Sequence, residues 1–203
     1  YGIRHLIEHC SFSYTRQVSM RGLGHAILCG RPLIGDEPFA VVLADDLCLN
    51  LQGDGVLAQM VQLYRQFRCS IVAIEEVPAA DTHKYGIVAG EAIRDDLLRI
   101  QHMVEKPEPA KAPSNLAIIG RYILTPDIFD LLEQTAPGKG GEIQLTDALQ
   151  RQAAEGCVIG YRFRGQRFDC GDKLGYLEAI IAMAASTDAA LRSGIFVSAM
   201  VLS

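Results

Sequence analysis

The stretch Ala40-Val41-Val42-Leu43-Ala44-Asp45-Asp46 decides how this sequence is read. Its apolar run is too short for an ordinary helix and suits a strand buried on both faces. Further on, Val56, Leu57, Met60, Val61, Leu63 and Tyr64 recur at helical spacing, which predicts an amphipathic helix over residues 55–67. Ser70-Ile71-Val72-Ala73-Ile74-Glu75 reads as a second buried strand. Strand, helix and strand in that order form a βαβ unit, whose crossover is expected to be right-handed.

Working outward, residues 85–90 and 100–104 read as strands of a hairpin or meander, and 116–124 as a strand with Gly120 inside it. Thr125-Pro126-Asp127 opens a helix running through residue 132, with Pro in its first turn. Residues 143–155 form another helix, with Gly156 just past its end. A strand over 157–163 and a helix over 174–185 complete the pattern. There is no internal repeat, and residues 107–113 are the Pro-rich loop. The expectation is a single α/β domain with a mostly parallel sheet flanked by helices.

The 203 residues are 49 % hydrophobic and 21 % charged, which excludes a disordered or collagen-like chain. The net charge of −5 offers no basic field to hold nucleic acid. An anionic substrate therefore needs local Lys or Arg, backbone amides or a metal. Cysteines at 10, 29, 48, 69, 157 and 170 form no CxxC pair, which argues against a zinc cluster and for a reducing compartment, the cytoplasm. Cys29 and Cys48 lie in apolar runs and read as buried thiols. No stretch reaches the roughly 20 apolar residues of a membrane helix. Residues 1–10 read like the middle of a helix, and 193–202 are apolar without a helical period. Residues 1–203 are thus expected to be one N-terminally incomplete domain, with an atypical tail over 186–203.

Five short runs could carry chemistry. Asp45-Asp46 ends a buried strand, where open α/β sheets bind ligands and where a carboxylate can hold Mg²⁺ beside phosphate oxygens; a turn or capping pair is the plain alternative. Arg21-Gly22-Leu23-Gly24-His25-Ala26 brings two glycines that let backbone approach a flat ligand, or simply form a turn into a helix. In Glu105-Lys106-Pro107 the Pro fixes the chain, so that Glu can accept from sugar hydroxyls and Lys can meet a phosphate; a surface ion pair would look the same. In Phe168-Asp169-Cys170-Gly171-Asp172-Lys173, Asp172 fits a helix N-cap, which leaves Asp169 as a candidate second metal ligand. Gly140-Gly141-Glu142-Ile143-Gln144-Leu145-Thr146-Asp147 could shape a pocket wall or cap and pack a helix. His5, His9, His83 and His102 are scattered, no GxSxG elbow is present, and nothing sets a carboxylate separation for glycoside hydrolysis.

Together these runs resemble the bacterial UTP–glucose-1-phosphate uridylyltransferases, or UDP-glucose pyrophosphorylases. The matching pieces are Arg21-Gly22-Leu23-Gly24-His25-Ala26, Leu43-Ala44-Asp45-Asp46, Tyr85-Gly86-Ile87-Val88 and Val104-Glu105-Lys106-Pro107. They continue with Ala112-Pro113-Ser114-Asn115-Leu116-Ala117-Ile118-Ile119-Gly120-Arg121-Tyr122, Gly141-Glu142-Ile143-Gln144-Leu145-Thr146-Asp147 and Phe168-Asp169-Cys170-Gly171-Asp172-Lys173-Leu174-Gly175-Tyr176. They fall in family order from about residue 15 to 185.

The resemblance implies a Rossmann-like nucleotidyltransferase fold, and glucose 1-phosphate attacking the α-phosphate of UTP to give UDP-glucose and pyrophosphate. Carried over residue by residue, Gln17 and Gly22 would meet the uracil. Asp45 and Asp169 would serve Mg²⁺ and, with Lys106 at the sugar phosphate, form the catalytic set. Gly86, Glu105 and Asn115 would line the sugar site. Asp46, Lys173 and the run from Gly141 to Asp147 receive no chemical role. The resemblance also implies a homo-oligomer. Family members open with a strand and a Gly-rich loop carrying Arg and Lys that grips the triphosphate. No such loop is found before Thr15, so that segment is expected to be missing from this sequence. Two alternatives stay open: a related transferase using dTTP or another sugar phosphate, and a non-catalytic module that binds nucleotide sugars.

Overall fold

The structure is a computed structural model that describes Arg4 and residues 8–193. Helix α1 spans Gly22–Ile34, and strands β1 and β2 span Phe39–Val42 and Asp46–Leu49. Helix α2, Val56–Phe67, leads into β3, Ser70–Glu76. A long hairpin follows, β4 over Gly86–Arg94 and β5 over Leu97–Glu105. Then come β6 (Leu116–Leu124), α3 (Ile128–Glu133), α4 (Leu145–Glu155), β7 (Val158–Arg162), β8 (Gln166–Asp169) and α5 (Lys173–Ser193).

Six strands form one sheet in the order β1-β6-β3-β7-β5-β4. Strand β3 is buried almost throughout, as its unbroken apolar run requires. Its alternate residues serve two cores. Val72 and Ile74 face a layer made by α1, α3 and α4, with Ile27, Phe129 and Leu149 among its members. Ile71 and Ala73 face α2, whose Val56, Met60 and Leu63 supply the helical stripe read from the sequence. The result is helices on both faces of a sheet.

The α/β class and the mixed sheet agree with the sequence reading, but the sheet is mostly antiparallel rather than mostly parallel. Strands β1 and β3 do run the same way, as a βαβ unit demands, yet they are not neighbours. Strand β6 lies between them and opposes both: Tyr122 faces Val41 on one side and Val72 on the other. Inserting one reversed strand replaces a parallel ladder with two antiparallel ones. The β4–β5 hairpin adds more, since β5 pairs with β7 at its start and β4 with β6. The parallel ladder among the described residues is β3–β7.

Two strands were not anticipated. Asp46–Leu49 and Gln166–Asp169 form a separate antiparallel pair that places Asp46 opposite Asp169. Helix α5 continues through Ser193, past the expected end at 185, while 194–203 lie outside the described residues. Most of the helix anticipated over residues 1–10 also lies outside them.

Gly120 inside β6 permits a close approach. A β-carbon there would lie 2.6 Å from Asp46 Oδ2 and 2.7 Å from Leu43 Cβ. The Gly120 N–H donates to that same Asp46 oxygen at 2.7 Å. Gly120→Ala is therefore expected to destabilise the fold by about 1–3 kcal/mol, the range for overpacking. Urea denaturation checks this, and an unchanged midpoint would contradict the packing.

Candidate active site

A cleft of about 340 Å³ opens beside β6 and collects residues from distant parts of the chain. Asp45, Gly86, Glu105, Lys106 and Asp169 line it together with Tyr85 and Arg167.

The β2–β8 register brings the carboxylates together. Asp169 lies opposite Asp46, and Asp45 immediately precedes that pair. The Cys170 N–H donates to the Asp45 carbonyl at 2.6 Å, tying the two loops. Asp169 Oδ1 accepts the Gly171 N–H at 3.1 Å. A β-carbon on Gly171 would sit 3.2 Å from Asp169 Oδ1 and 3.7 Å from Asp45 Oδ2. Gly171 thus leaves open a cradle flanked by the oxygens of both residues. Among the described residues no group of three or more His, Cys, Asp or Glu side chains gathers to hold a metal. Two carboxylates with room for phosphate oxygens and water nevertheless fit the needs of Mg²⁺.

Asp46 does different work. Its side chain is about one-tenth exposed. It accepts from Gly120 N–H and from Arg167 Nε. Arg121 adds a bond to the Asp46 carbonyl and another to the Leu43 carbonyl at 3.0 Å. Asp46 therefore anchors the turn that presents Asp45.

Arg167 is the residue the sequence reading missed. Its side chain is 9 % exposed and reaches three carboxylates: Asp46, Asp169 at 3.3 Å and Glu75 at 3.8 Å. The guanidinium also lies over the Tyr85 ring, 5.2 Å from its centroid. Burial alone would lower the Arg167 pKa, but the Tyr85 hydroxyl and Asp46 outweigh it and raise it. Glu75 is pushed up by burial, with Arg167 opposing. One clue was in the sequence: Arg167 and Asp169 alternate with Phe168, a period-2 pattern that puts both polar groups on one strand face.

The β4–β5 hairpin supplies more of the lining. Gly86 pairs with Glu105 across the ladder. A β-carbon on Gly86 would lie 3.2 Å from Glu105 Oε2 and 3.1 Å from Thr146 Oγ1. Glycine leaves room for the bond that Thr146 donates to Glu105 at 2.6 Å. Lys106 holds a left-handed conformation, φ 44°, and its N–H donates to the Tyr85 carbonyl at 2.9 Å. Its ammonium is half-exposed at the cleft, 3.7 Å from Glu105 Oε1.

Gln17 and Gly22 are brought together at the start of α1, where Gln17 Nε2 donates to the Gly22 carbonyl at 3.0 Å. Both lie beyond the lining of the cleft, which α1 reaches through Leu23. The run after Gly141 locks this helix in place. Gly24 N–H donates to the Ile143 carbonyl at 3.0 Å, and Ile143 N–H to the Arg21 carbonyl at 2.8 Å. Asn115 also lies outside the cleft lining: its amide donates to Glu76 at 2.9 Å. Asp172 caps α5, accepting from Leu174 N–H at 2.9 Å and Gly175 N–H at 3.2 Å.

A sheet with helices on both faces, and one cleft lined by an acidic cradle and a lysine, defines a class. The chain belongs to the nucleotidyl transferase family, whose model matches residues 3–186. Within that class it is 75 % identical over 178 residues to the UTP–glucose-1-phosphate uridylyltransferase of Pseudomonas aeruginosa, covering 88 % of this chain and 64 % of that protein. It is 47 % identical to UTP–glucose-1-phosphate uridylyltransferase 1 of Staphylococcus saprophyticus, covering 86 % and 60 %. The fold matches a crystal structure of UDP-glucose pyrophosphorylase complexed with UDP-glucose with a TM-score of 0.87 and 56 % identity, covering 90 % of this chain and 70 % of that one. It matches UTP-bound UGPase from Acinetobacter baumannii with a TM-score of 0.76 and 40 % identity, covering 87 % and 61 %. The chain thus spans just under two thirds of the length of the curated relatives it matches. No helix among the described residues is long and apolar enough to cross a membrane.

Proposed function

We propose that this chain carries the sugar-phosphate and metal side of a UTP–glucose-1-phosphate uridylyltransferase, which makes UDP-glucose and pyrophosphate. The observation that supports this most is the convergence of Asp45 and Asp169 on the Gly171 cradle, in the same cleft as Lys106 and Glu105. The names of the most similar relatives point the same way.

Two anionic substrates must meet, so positive charge has to offset their repulsion. Asp45 and Asp169 would hold Mg²⁺, which when bound neutralises charge on phosphate oxygens and orients them for in-line displacement. Lys106 faces the sugar phosphate and lowers its repulsion from the nucleotide. A phosphate monoester has a second pKa of about 6, by analogy with phosphorylated side chains, so the attacking oxygen is already anionic at neutral pH. No general base is needed. Glu105, oriented by Thr146, accepts from sugar hydroxyls, and Gly86 keeps that wall open. Gln17 and Gly22 contact the uracil beyond the cleft. The unpaired cysteines suit the cytoplasm.

The direct test, made in a transferase that joins this chain to the triphosphate-gripping segment, is pyrophosphate release from UTP and from dTTP with glucose 1-phosphate and Mg²⁺, beside calorimetry with UDP-glucose. Turnover preferring UTP supports the reading. Turnover preferring dTTP, or UDP-glucose binding without turnover, would replace it with one of the two alternatives.

Lys106→Ala is expected to raise the KM for glucose 1-phosphate at least tenfold while leaving that for UTP within about twofold, the loss of one charge-assisted contact. Lys106→Arg should rescue only part, because a planar fork does not replace a point charge. A selective rise in the UTP constant would place Lys106 against the nucleotide instead.

A further inference from the structure

The start of the β3–β7 ladder lies outside the cleft already described. Ser70 pairs with Val158 in parallel register, so the residues just before them, Cys69 and Cys157, are lateral neighbours. Alternation puts both side chains on the face of Ile71 and Ile159, and both pack against that core cluster. Both thiols are half-buried and border one cleft of about 350 Å³. Burial raises the Cys69 pKa first, and a hydrogen bond with the Cys157 thiol raises it further. The two cysteines therefore lie side by side on one face of the sheet.

We propose that Cys69 and Cys157 form an oxidative modification site, at which a peroxide converts two adjacent thiols into a disulfide tying β3 to β7. The Cys157 thiolate attacks the peroxide, the O–O bond breaks, and a sulfenic acid and one water (or alcohol) result. The Cys69 sulfur then attacks the Cys157 sulfur; the S–S bond forms and the hydroxyl leaves as water. Two thiols are oxidised by two electrons and one peroxide is reduced. The reverse order of attack balances identically and gives the same crosslink. Neighbouring strands are spaced within the Cα range of disulfides, but the Cβ atoms must draw closer than a regular ladder allows. The chain can supply that movement because the pair precedes the ladder. Gly156 adjoins one cysteine, and Arg68, in a left-handed turn, adjoins the other.

The test uses the whole 203-residue chain and hydrogen peroxide, at a dose that oxidises the exposed Cys10. After alkylation of remaining thiols and tryptic digestion, the peptide starting at Cys69 is expected to be joined to the peptide from Gln152 to Arg162. The joined mass is about 2 Da below the sum of the reduced peptides, as loss of two hydrogens requires, and dithiothreitol separates them. In Cys69→Ser, Cys157 should keep its sulfenic acid and be tagged by a 1,3-diketone. Recovery of both peptides alkylated, or carrying sulfinic acid without a crosslink, while Cys10 is oxidised, would overturn the proposal.

Discussion

Replacing Asp45 by Ala in the active transferase is expected to lower turnover on the order of 10²–10³-fold, the size of losing one charge-stabilising group in a phosphoryl-type transition state. The geometry separates this effect from stability. Asp45 is exposed at the turn after β1, whereas its neighbour Asp46 makes the buried bonds to Gly120 and Arg167. The folded state should therefore keep its melting temperature, while the Mg²⁺ concentration for half-maximal rate rises. Both can be read from one set of magnesium titrations and a thermal melt. A rate near that of the parent at saturating Mg²⁺ would remove Asp45 from the metal site and leave the Gly171 cradle without its proposed occupant.

The second large effect is on folding. Arg167→Ala should cost about 3–5 kcal/mol, the range for breaking a buried ion pair and leaving its partner charged. Asp46 would keep its bond from Gly120 N–H but lose the guanidinium that balances its buried charge. Asp169 and Glu75 would lose the same cation. Arg167→Lys should recover part of the loss, since an ammonium keeps the charge but not the fork that reaches three carboxylates and stacks on Tyr85. Urea denaturation of the three proteins decides this. If Arg167→Ala unfolds at the parent midpoint, the acidic cluster is held by its backbone bonds and Arg167 is not its counter-charge.

Local chemistry was legible without coordinates. The β3 run, the α2 stripe and the bounds of β6 follow from periodicity alone, because burial on one or both faces imposes it. The capping role of Asp172 followed from its place before a helix. The candidate residues Asp45, Glu105, Lys106 and Asp169 were singled out from their runs and Gly86 through the family resemblance, and one cleft gathers them. What periodicity cannot carry is the identity of a strand's neighbour. The apolar run of β6 fits an edge or a centre equally, so only the folded chain shows it between β1 and β3, turning a parallel sheet largely antiparallel. The short pair β2–β8 escaped for a related reason: four residues hold too little pattern, and their pairing spans more than a hundred residues of chain. That long-range register alone sets Asp169 opposite Asp46 and carries Arg167 into the acidic cluster, because a buried charge takes its meaning from partners that folding brings near.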